Sequence, residues 1–231
     1  RSVLKLLLSV YHDKGYKGDE TGNELFRWAR HYGLDPQKLT SSKARYEVDS
    51  DPNPFIFIDL NKCILCTRCV RACSEIQGRF VWGISERGFE AHVTPGMGED
   101  MIDARCESCG ACVAYCPTGA LSLKPTIEVG PAEKKITTTC NYCGVGCQFD
   151  LNVIDDKIVS VTSNPDAPVN GMHLCVKGRF GFSYVHHKDR LIKPLVREYL
   201  LNGGQRPSKK DRGNWVETDW DTALNIVADK L

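Results

Sequence analysis

The sequence predicts an α+β fold in which a short helical segment precedes two small cysteine-rich domains. All twelve cysteines of the 231-residue chain lie between residues 63 and 175, in three sets of four. Apolar stripes with helical spacing occupy the first fifty residues, and short alternating segments typical of strands flank the cysteine sets. The length allows between one and three domains, so the motifs must decide the organisation.

Residues 1–50 are predicted to form a helical segment. Their two apolar stripes are separated by a loop rich in glycine and aspartate at residues 15–22, which suggests a helical hairpin. The stripes consist of Val3, Leu4, Leu7 and Leu8, and of Leu25, Phe26, Ala29 and Tyr32.

Residues 51–130 are predicted to form the first cysteine-rich domain. The stretch Asp51-Pro-Asn-Pro54 interrupts regular structure and is interpreted as a linker. The apolar residues 54–59 then form a short buried strand that leads to Cys63, and the alternation over residues 79–95 indicates a β-hairpin that turns at residues 86–88.

Two runs in this domain share the spacing C-x2-C-x2-C-x3-C, and the second run continues with Pro117. This spacing is the signature of bacterial two-cluster ferredoxins, in which the last cysteine of each run ligates the other cluster. A zinc site would leave ligands redundant, and such close spacings cannot all meet disulfide geometry. The predicted ligands are Cys63, Cys66, Cys69 and Cys116 for one [4Fe-4S] cluster, and Cys106, Cys109, Cys112 and Cys73 for the other.

The third set follows a second predicted linker, at residues 124–126 and 128–135, and comprises Cys140, Cys143, Cys147 and Cys175. Gly144 and Gly146 would let the loop fold tightly around a cluster. Segments 148–154 and 157–161, joined by an Asp155-Asp156 turn, predict a hairpin. The spacing of this set alone leaves both a zinc site and a [4Fe-4S] cluster open.

Residues 137–147 (TTTCNYCGVGC) and 172–180 (MHLCVKGRF) resemble the N-terminal cluster domain of molybdenum or tungsten bis-pterin oxidoreductases, most closely formate dehydrogenase catalytic (alpha) subunits. The resemblance implies a small, mostly β [4Fe-4S] domain at residues 136–195. It also implies that Lys177 binds between cluster and pterin as an electron relay. Residues 189–197 and the helix from Trp220 resemble the lead-in to the large catalytic domains, so residues 196–231 are expected to begin a truncated pterin-binding domain.

The first fifty residues, through residues 22–33 (GNELFRWARHYG), resemble the N-terminal region of complex I large subunits and of iron hydrogenases, where one histidine and three cysteines bind a further cluster. This chain departs from that pattern because no cysteine precedes Cys63. His12 and His31 are therefore expected to be ordinary surface histidines, and no cluster is predicted before residue 51. His186 and His187 are likewise expected to be structural or exposed.

The last residues predict an amphipathic helix. Thr218 lies three residues before Asp221, which is the spacing of a helix N-terminus, and an apolar stripe runs from Ala223 to Leu231. Because the helix would have few partners at the chain end, the sequence is expected to be a fragment of a longer protein. The absence of an N-terminal methionine also allows an upstream segment to have been removed.

The function that follows is the electron-transfer portion of a formate dehydrogenase. The expected cofactors are three [4Fe-4S] clusters, with molybdenum or tungsten bis-molybdopterin guanine dinucleotide in the whole enzyme. The active-site ligand is not in this segment, since no thirteenth cysteine exists. Expected partners are electron-transfer subunits of iron-sulfur, flavin, NAD-linked or hydrogenase type, and the substrate pair is formate and carbon dioxide. The alternatives are another molybdopterin oxidoreductase, a protein like the complex I large subunit, or a non-catalytic electron-wire subunit.

Charge and hydropathy exclude other classes. The net charge of +1, with acidic and basic residues interleaved, gives no surface suited to nucleic acid. The apolar stretch from Val3 to Val10 is far shorter than the roughly 20 residues of a membrane span. Oxygen-sensitive clusters and the absence of an obvious disulfide pattern suggest a cytoplasmic protein.

Overall fold

The computed structural model describes residues 1–13, 22–127 and 129–231. Its α-helices are α1 (Ser2–Val10), α2 (Glu24–His31), α3 (Pro36–Leu39), α4 (Arg68–Arg71), α5 (Ala111–Ala114), α6 (Val176–Phe180), α7 (Glu198–Leu201) and α8 (Trp220–Ala228). Its strands are β1 (Ile56–Ile58), β2 (Trp82–Ser85), β3 (His92–Pro95), β4 (Leu121–Leu123), β5 (Lys134–Thr139), β6 (Gln148–Ile154), β7 (Lys157–Ser163), β8 (Leu195–Arg197) and β9 (Trp215–Glu217). None of the described helices has the length and apolar character that a membrane span requires.

Helices α1, α2 and α3 pack around a small apolar core. Its buried members are Leu8, Tyr11, Leu25, Phe26, Ala29 and Leu34. The predicted stripes are partly wrong, because Val3 and Tyr32 are 70% and 52% exposed. Helical structure also ends at Leu39 instead of continuing to residue 50. The predicted loop at residues 15–22 lies, except for Gly22, outside the described residues.

The ferredoxin-like part is closed by an antiparallel pair of strands from its two ends. β1 pairs with β4 in the register Ile56↔Leu123 to Ile58↔Leu121, and β2 and β3 form the predicted hairpin. The strand before Cys63 is therefore confirmed, although its partner β4 was not predicted. Apolar residues and thiols share one core, made of Ile56, Val81, Trp82, Val93, Met101 and Leu121 with Cys69, Cys73 and Cys112.

Residues Asp51–Pro54 belong to no helix or strand, as predicted, but their side chains are anchored in the domain. Asn53 is only 1% exposed, and its amide oxygen accepts hydrogen bonds from the N–H groups of Phe55 and Ile56, at 2.9 and 3.0 Å. Asp51 accepts a hydrogen bond from the Met101 N–H at 2.8 Å. These side chains satisfy backbone donors at the start of β1, so the segment is a structured entry to the domain.

The third cysteine set lies on a three-stranded antiparallel sheet in the order β5, β6, β7. The β6–β7 hairpin is confirmed. Asp155 and Asp156 both have positive φ, 48° and 56°, as a tight two-residue turn requires. The predicted linker through Lys135 is wrong, because β5 begins at Lys134 and pairs along β6. The β-branched residues 136–139 favour this strand.

Residues 184–231 form a separate compact unit. Strands β8 and β9 pair in the register Leu195↔Glu217 to Arg197↔Trp215. The predicted helix near the end is present as α8, but its capping residue is Asp219 rather than the predicted Thr218. The Asp219 carboxylate accepts hydrogen bonds from the N–H and hydroxyl of Thr222 at 2.8 and 2.9 Å.

Candidate iron-sulfur sites

The first thiol group contains three cysteines of the first run and Cys116 of the second. Burial, with smaller contributions from the nearby Cys116 and Cys66 thiols, raises the pKa of Cys63 to about 11. Burial likewise raises the pKa of Cys69 to about 12, with added contributions from Cys116, Cys63 and Cys66. Cys63, Cys66, Cys69 and Cys116 line one small cavity, so Cys116 lies near the first three cysteines of the first run.

In the second thiol group, Cys73 of the first run joins cysteines of the second run. Burial is the largest cause of the raised pKa of Cys106 and of Cys109, and Cys73 of the first run adds to both. Burial also holds the pKa of Cys112 well above its usual range, with contributions from Cys109, Cys106 and Cys69. Cys73 thus lies near Cys106 and Cys109, and it shares the apolar core with Cys112.

Both ferredoxin-like loops use left-handed backbone at matching positions. The residue before the second cysteine of each run has positive φ, 54° at Leu65 and 52° at Ser108. The residue after it does too, 61° at Thr67 and 72° at Gly110, and α4 and α5 start directly afterwards. This conformation is unfavourable for leucine and for β-branched threonine. Repeated strain at equivalent points indicates that the thiols require this path.

Backbone amides in these loops donate to the sulfur atoms. The N–H of Leu65 lies 3.4 Å from Cys63 Sγ, and the N–H of Ser108 lies 3.3 Å from Cys106 Sγ. A third donor, the N–H of Val81, lies 3.3 Å from Cys73 Sγ. Such donors stabilise negative charge on sulfur, which suits a ligated thiolate.

The third thiol group lies in the loop between β5 and β6 and at the start of α6. Burial raises the pKa of Cys147, and the Cys140, Cys143 and Cys175 thiols raise it further, so the four lie together. The Cys140 N–H donates to the Cys147 carbonyl at 2.7 Å and closes the loop, while Gly146 supplies a φ of 78°. Cys143 and Cys175 are exposed. This group is consequently the most accessible of the three.

The twelve thiols fit iron-sulfur clusters better than the alternatives. All twelve are unpaired, so disulfides do not account for their convergence. A four-thiolate zinc site holds its sulfurs about 3.8 Å apart. Within the described ranges, however, no three His, Cys, Asp or Glu side chains come close enough to hold one metal ion. The spacing C-x2-C-x2-C-x3-C of the first two runs is that of [4Fe-4S] ligands.

Lys177 lies two residues after Cys175 in α6, and its side chain is exposed. Its predicted role as an electron relay stays a prediction. Of the histidines considered, His12 binds the Ser41 carbonyl through Nδ1 at 2.8 Å, and His31 packs its ring edge-on against Trp28 and Tyr32. His186 and His187 are exposed.

Sequence reasoning missed Arg179, which is 2% exposed. Its Nε donates to the Cys109 carbonyl at 2.9 Å, and its Nη2 donates to Ser163 Oγ at 2.9 Å. The only available signal was its place in the stretch Cys-Val-Lys-Gly-Arg, which does not show that the side chain is buried.

Both cysteine-rich parts of the chain are similar to known proteins. Residues 133–187 match the family described as the molybdopterin oxidoreductase Fe4S4 domain, and residues 53–122 match the ferredoxin-like domain of NADH-quinone oxidoreductase subunit 3. A Staphylococcus aureus (strain USA300) protein named "Putative formate dehydrogenase" is 32% identical over 87% of this chain and 23% of its own length. An NADH-quinone oxidoreductase subunit of Rhizobium meliloti (strain 1021) is 36% identical over 71% of this chain and 18% of its own length.

Among solved structures, the NAD+-reducing [NiFe]-hydrogenase in the H2-reduced state is similar with a TM-score of 0.44 and 23% identity. The match covers 58% of this chain and 57% of that one. The chain spans less than a quarter of the length of the two curated relatives.

The thiol groups and the matched domains define the chain as the iron-sulfur, electron-transfer portion of an oxidoreductase. More particularly, residues 133–187 belong to the Fe4S4 domain family of molybdopterin oxidoreductases. Residues 53–122 belong to the ferredoxin-like domain family of NADH-quinone oxidoreductase subunit 3.

Proposed function

We propose that this chain passes single electrons along three [4Fe-4S] clusters, one at each thiol group. The observation that carries the proposal is the convergence of the thiols: Cys63, Cys66, Cys69 and Cys116 line one cavity, Cys73 acts on Cys106 and Cys109, and Cys140, Cys143 and Cys175 act on Cys147. This convergence supports an exchange of Cys73 and Cys116 between the two ferredoxin-like runs. Bound clusters supply one-electron redox chemistry. The chain supplies the thiolates, the amide donors at Leu65, Ser108 and Val81, and the burial that sets the potentials.

The test is the metal content of the anaerobically purified natural protein. We expect about twelve iron and twelve sulfide per chain from these three sites, with EPR signals of reduced [4Fe-4S] clusters. Cys143→Ala should remove about four iron and change the third signal while preserving the other two. A colourless preparation, or one holding zinc in place of iron, would contradict the proposal.

For the whole protein we propose formate oxidation or carbon dioxide reduction. Formate oxidation yields carbon dioxide, one proton and two electrons, and the residues of this chain would carry those electrons away one at a time. Support comes from the 32% identity to proteins named "Putative formate dehydrogenase" and from the matched Fe4S4 domain. A molybdenum or tungsten bis-pterin site would lie outside these residues.

Formate-dependent reduction of a viologen dye by the full-length protein tests this assignment, together with its molybdenum or tungsten content. We expect both to be present, and we expect Cys143→Ala to abolish dye reduction through the clusters. A protein with full iron content, no molybdenum or tungsten and no formate activity would contradict it.

A cluster-carrying subunit of an NADH-quinone oxidoreductase is the second candidate. It is favoured by the match at residues 53–122 and by the relative that is 36% identical. In that case the clusters would be reduced in complex with an NADH-oxidising partner, and formate would have no effect.

The twelve unpaired thiols support a reducing compartment, for which we propose the cytoplasm.

Within the formate dehydrogenase assignment we propose that Lys177 relays electrons between the third cluster and the pterin. Its place two residues after Cys175, in α6, supports this role. Lys177→Ala should slow reduction of the clusters by formate at unchanged iron content, and Lys177→Arg should recover part of the rate. Lys188→Ala, at another exposed lysine, serves as the control. Equal rates in all variants would exclude the relay.

A further inference from the structure

Arg179 is a buried cation between two thiol groups. Its backbone lies in α6, where its N–H donates to the Cys175 carbonyl at 3.1 Å, so it is fixed to the third group. Its guanidinium reaches the second group, where Nε donates to the Cys109 carbonyl at 2.9 Å. Nη2 donates to Ser163 Oγ, and the Ser163 hydroxyl in turn donates to the Met172 carbonyl at 2.7 Å. One side chain therefore connects the second thiol group to the sheet and helix of the third.

The packing around Arg179 is adapted to it. Gly110, next to Cys109, has a φ of 72°, and a methyl group at this position would overlap the Arg179 side chain. The next residue, Phe180, stacks on Phe55 with ring centroids 4.5 Å apart. These contacts hold the guanidinium in one place beside the Cys109 loop.

The charge of Arg179 lacks a carboxylate partner in the described part of the chain, where no Asp or Glu oxygen lies within 4.0 Å of it. The ionisable groups that act on it are the Cys109 and Cys112 thiols. A guanidinium stays charged in proteins, and a buried charge is costly unless an opposite charge compensates it. Among the described residues, only Cys109 and Cys112 can compensate the charge of Arg179, and both are proposed ligands of the second cluster.

We propose that Arg179 is a positioning residue that docks the third thiol group on the second, and that its charge raises the reduction potential of the cluster held by Cys73, Cys106, Cys109 and Cys112. This inference rests on the proposed electron-transfer function. Reduction adds one electron to the cluster and makes it more negative by one charge. A fixed cation nearby stabilises this reduced form more than the oxidised form.

The experiment is an EPR-monitored redox titration of the full-length natural protein, with dithionite as reductant. Arg179→Gln keeps a hydrogen-bonding side chain but removes the charge. At a fixed solution potential we expect its ratio of reduced to oxidised second cluster to fall at least about threefold, equivalent to about 30 mV for one electron. Arg179→Lys keeps the charge and should show a clearly smaller fall. Arg206→Gln, at an exposed arginine, should show none.

Several outcomes would overturn the inference. An Arg179→Gln protein with full iron content and an unchanged second potential would do so, and so would equal shifts in the Gln and Lys variants, because charge would then not be the cause. If Arg179→Gln fails to assemble its clusters, Gly110→Ala becomes the test of the charge effect. The added methyl group would displace the Arg179 guanidinium without removing its charge. That variant should also lower the second potential, and an unchanged value would refute the inference. Absence of iron from the wild-type protein would instead refute the proposed function.

Discussion

At the scale of single residues, the thiols differ in how far they are removed from water. Cys69, Cys73 and Cys112 are buried members of an apolar core, whereas Cys143 and Cys175 are exposed. Burial disfavours the more highly charged, reduced form of a cluster and so lowers its potential. The second group contains two of the three buried thiols, and it is also the group that Arg179 contacts. For the second cluster, burial therefore lowers the reduction potential, whereas the proposed effect of the Arg179 charge raises it.

If Cys73 and Cys116 each ligate the cluster of the other run, substituting either one should impair only that other cluster. Cys116→Ala should impair the first cluster and lower the iron content by up to about four, while the signal of the second cluster stays. Cys73→Ala should do the reverse, since its thiol acts on those of Cys106 and Cys109. Iron analysis and EPR of both variants measure this directly. Each variant is the matched control of the other, and impairment of the cluster belonging to its own run would contradict the exchange.

Asn53 should matter for stability although it ligates nothing. Its amide group donates to Ser108 Oγ at 3.0 Å, so it joins the start of β1 to the second cysteine loop. Asn53→Ala would leave the buried N–H of Ile56 and the part-buried N–H of Phe55 without their acceptor, and it should lower the free energy of unfolding by about 1–3 kcal/mol. Denaturant titration measures this change. Asn202→Ala, at an exposed site, should stay within about 0.5 kcal/mol of wild type, and an equal loss in both variants would contradict the argument.

At the scale of elements, the sequence predicts strands best where an alternating pattern and a turn sequence occur next to each other. The β6–β7 hairpin is found because alternation and an Asp155-Asp156 turn coincide. β5 is missed because Lys134 and Lys135 follow a charged, turn-forming stretch, and its pairing with β6 is a tertiary contact. β4 has three residues and is stabilised by β1 from about sixty residues away. Short strands whose partners are distant carry no periodic signal of their own.

The cap of α8 makes a prediction at this scale. The Thr222 N–H lowers the pKa of Asp219, so the folded carboxylate is favoured. Because the folded pKa is depressed, the cap contributes fully above the ordinary carboxyl pKa and is lost only as pH falls through the lowered value. Asp219→Ala should therefore speed amide hydrogen exchange in the first turn of α8 near neutral pH. Asp219→Asn keeps a capping oxygen and should exchange nearly as wild type; equally fast exchange in both variants would show that the cap is not the cause.

At the scale of the whole molecule, the cysteine sets could be predicted from spacing, but their surroundings could not. Spacing expresses the geometry of a bound cubane, which is a local requirement of the chain. Arg179 becomes notable only when α6 folds against the Cys109 loop, because arginine is normally exposed and nothing in the sequence marks this one as buried. Asn53 was missed for the same reason.

Cluster removal should destabilise the ferredoxin-like part more than α8. The core around Ile56, Trp82 and Leu121 includes ligand thiols, so loss of the clusters would leave protonated sulfurs facing empty space within it. We expect chelation to lower the free energy of unfolding by at least about 3 kcal/mol, or about 6–12 °C in Tm for a chain of this size. Hydrogen exchange should accelerate in β1, β2 and β4, while α8, which contains no cysteine, serves as the internal reference. Equal Tm and equal protection with and without iron would mean that the thiol-lined core is stable by itself.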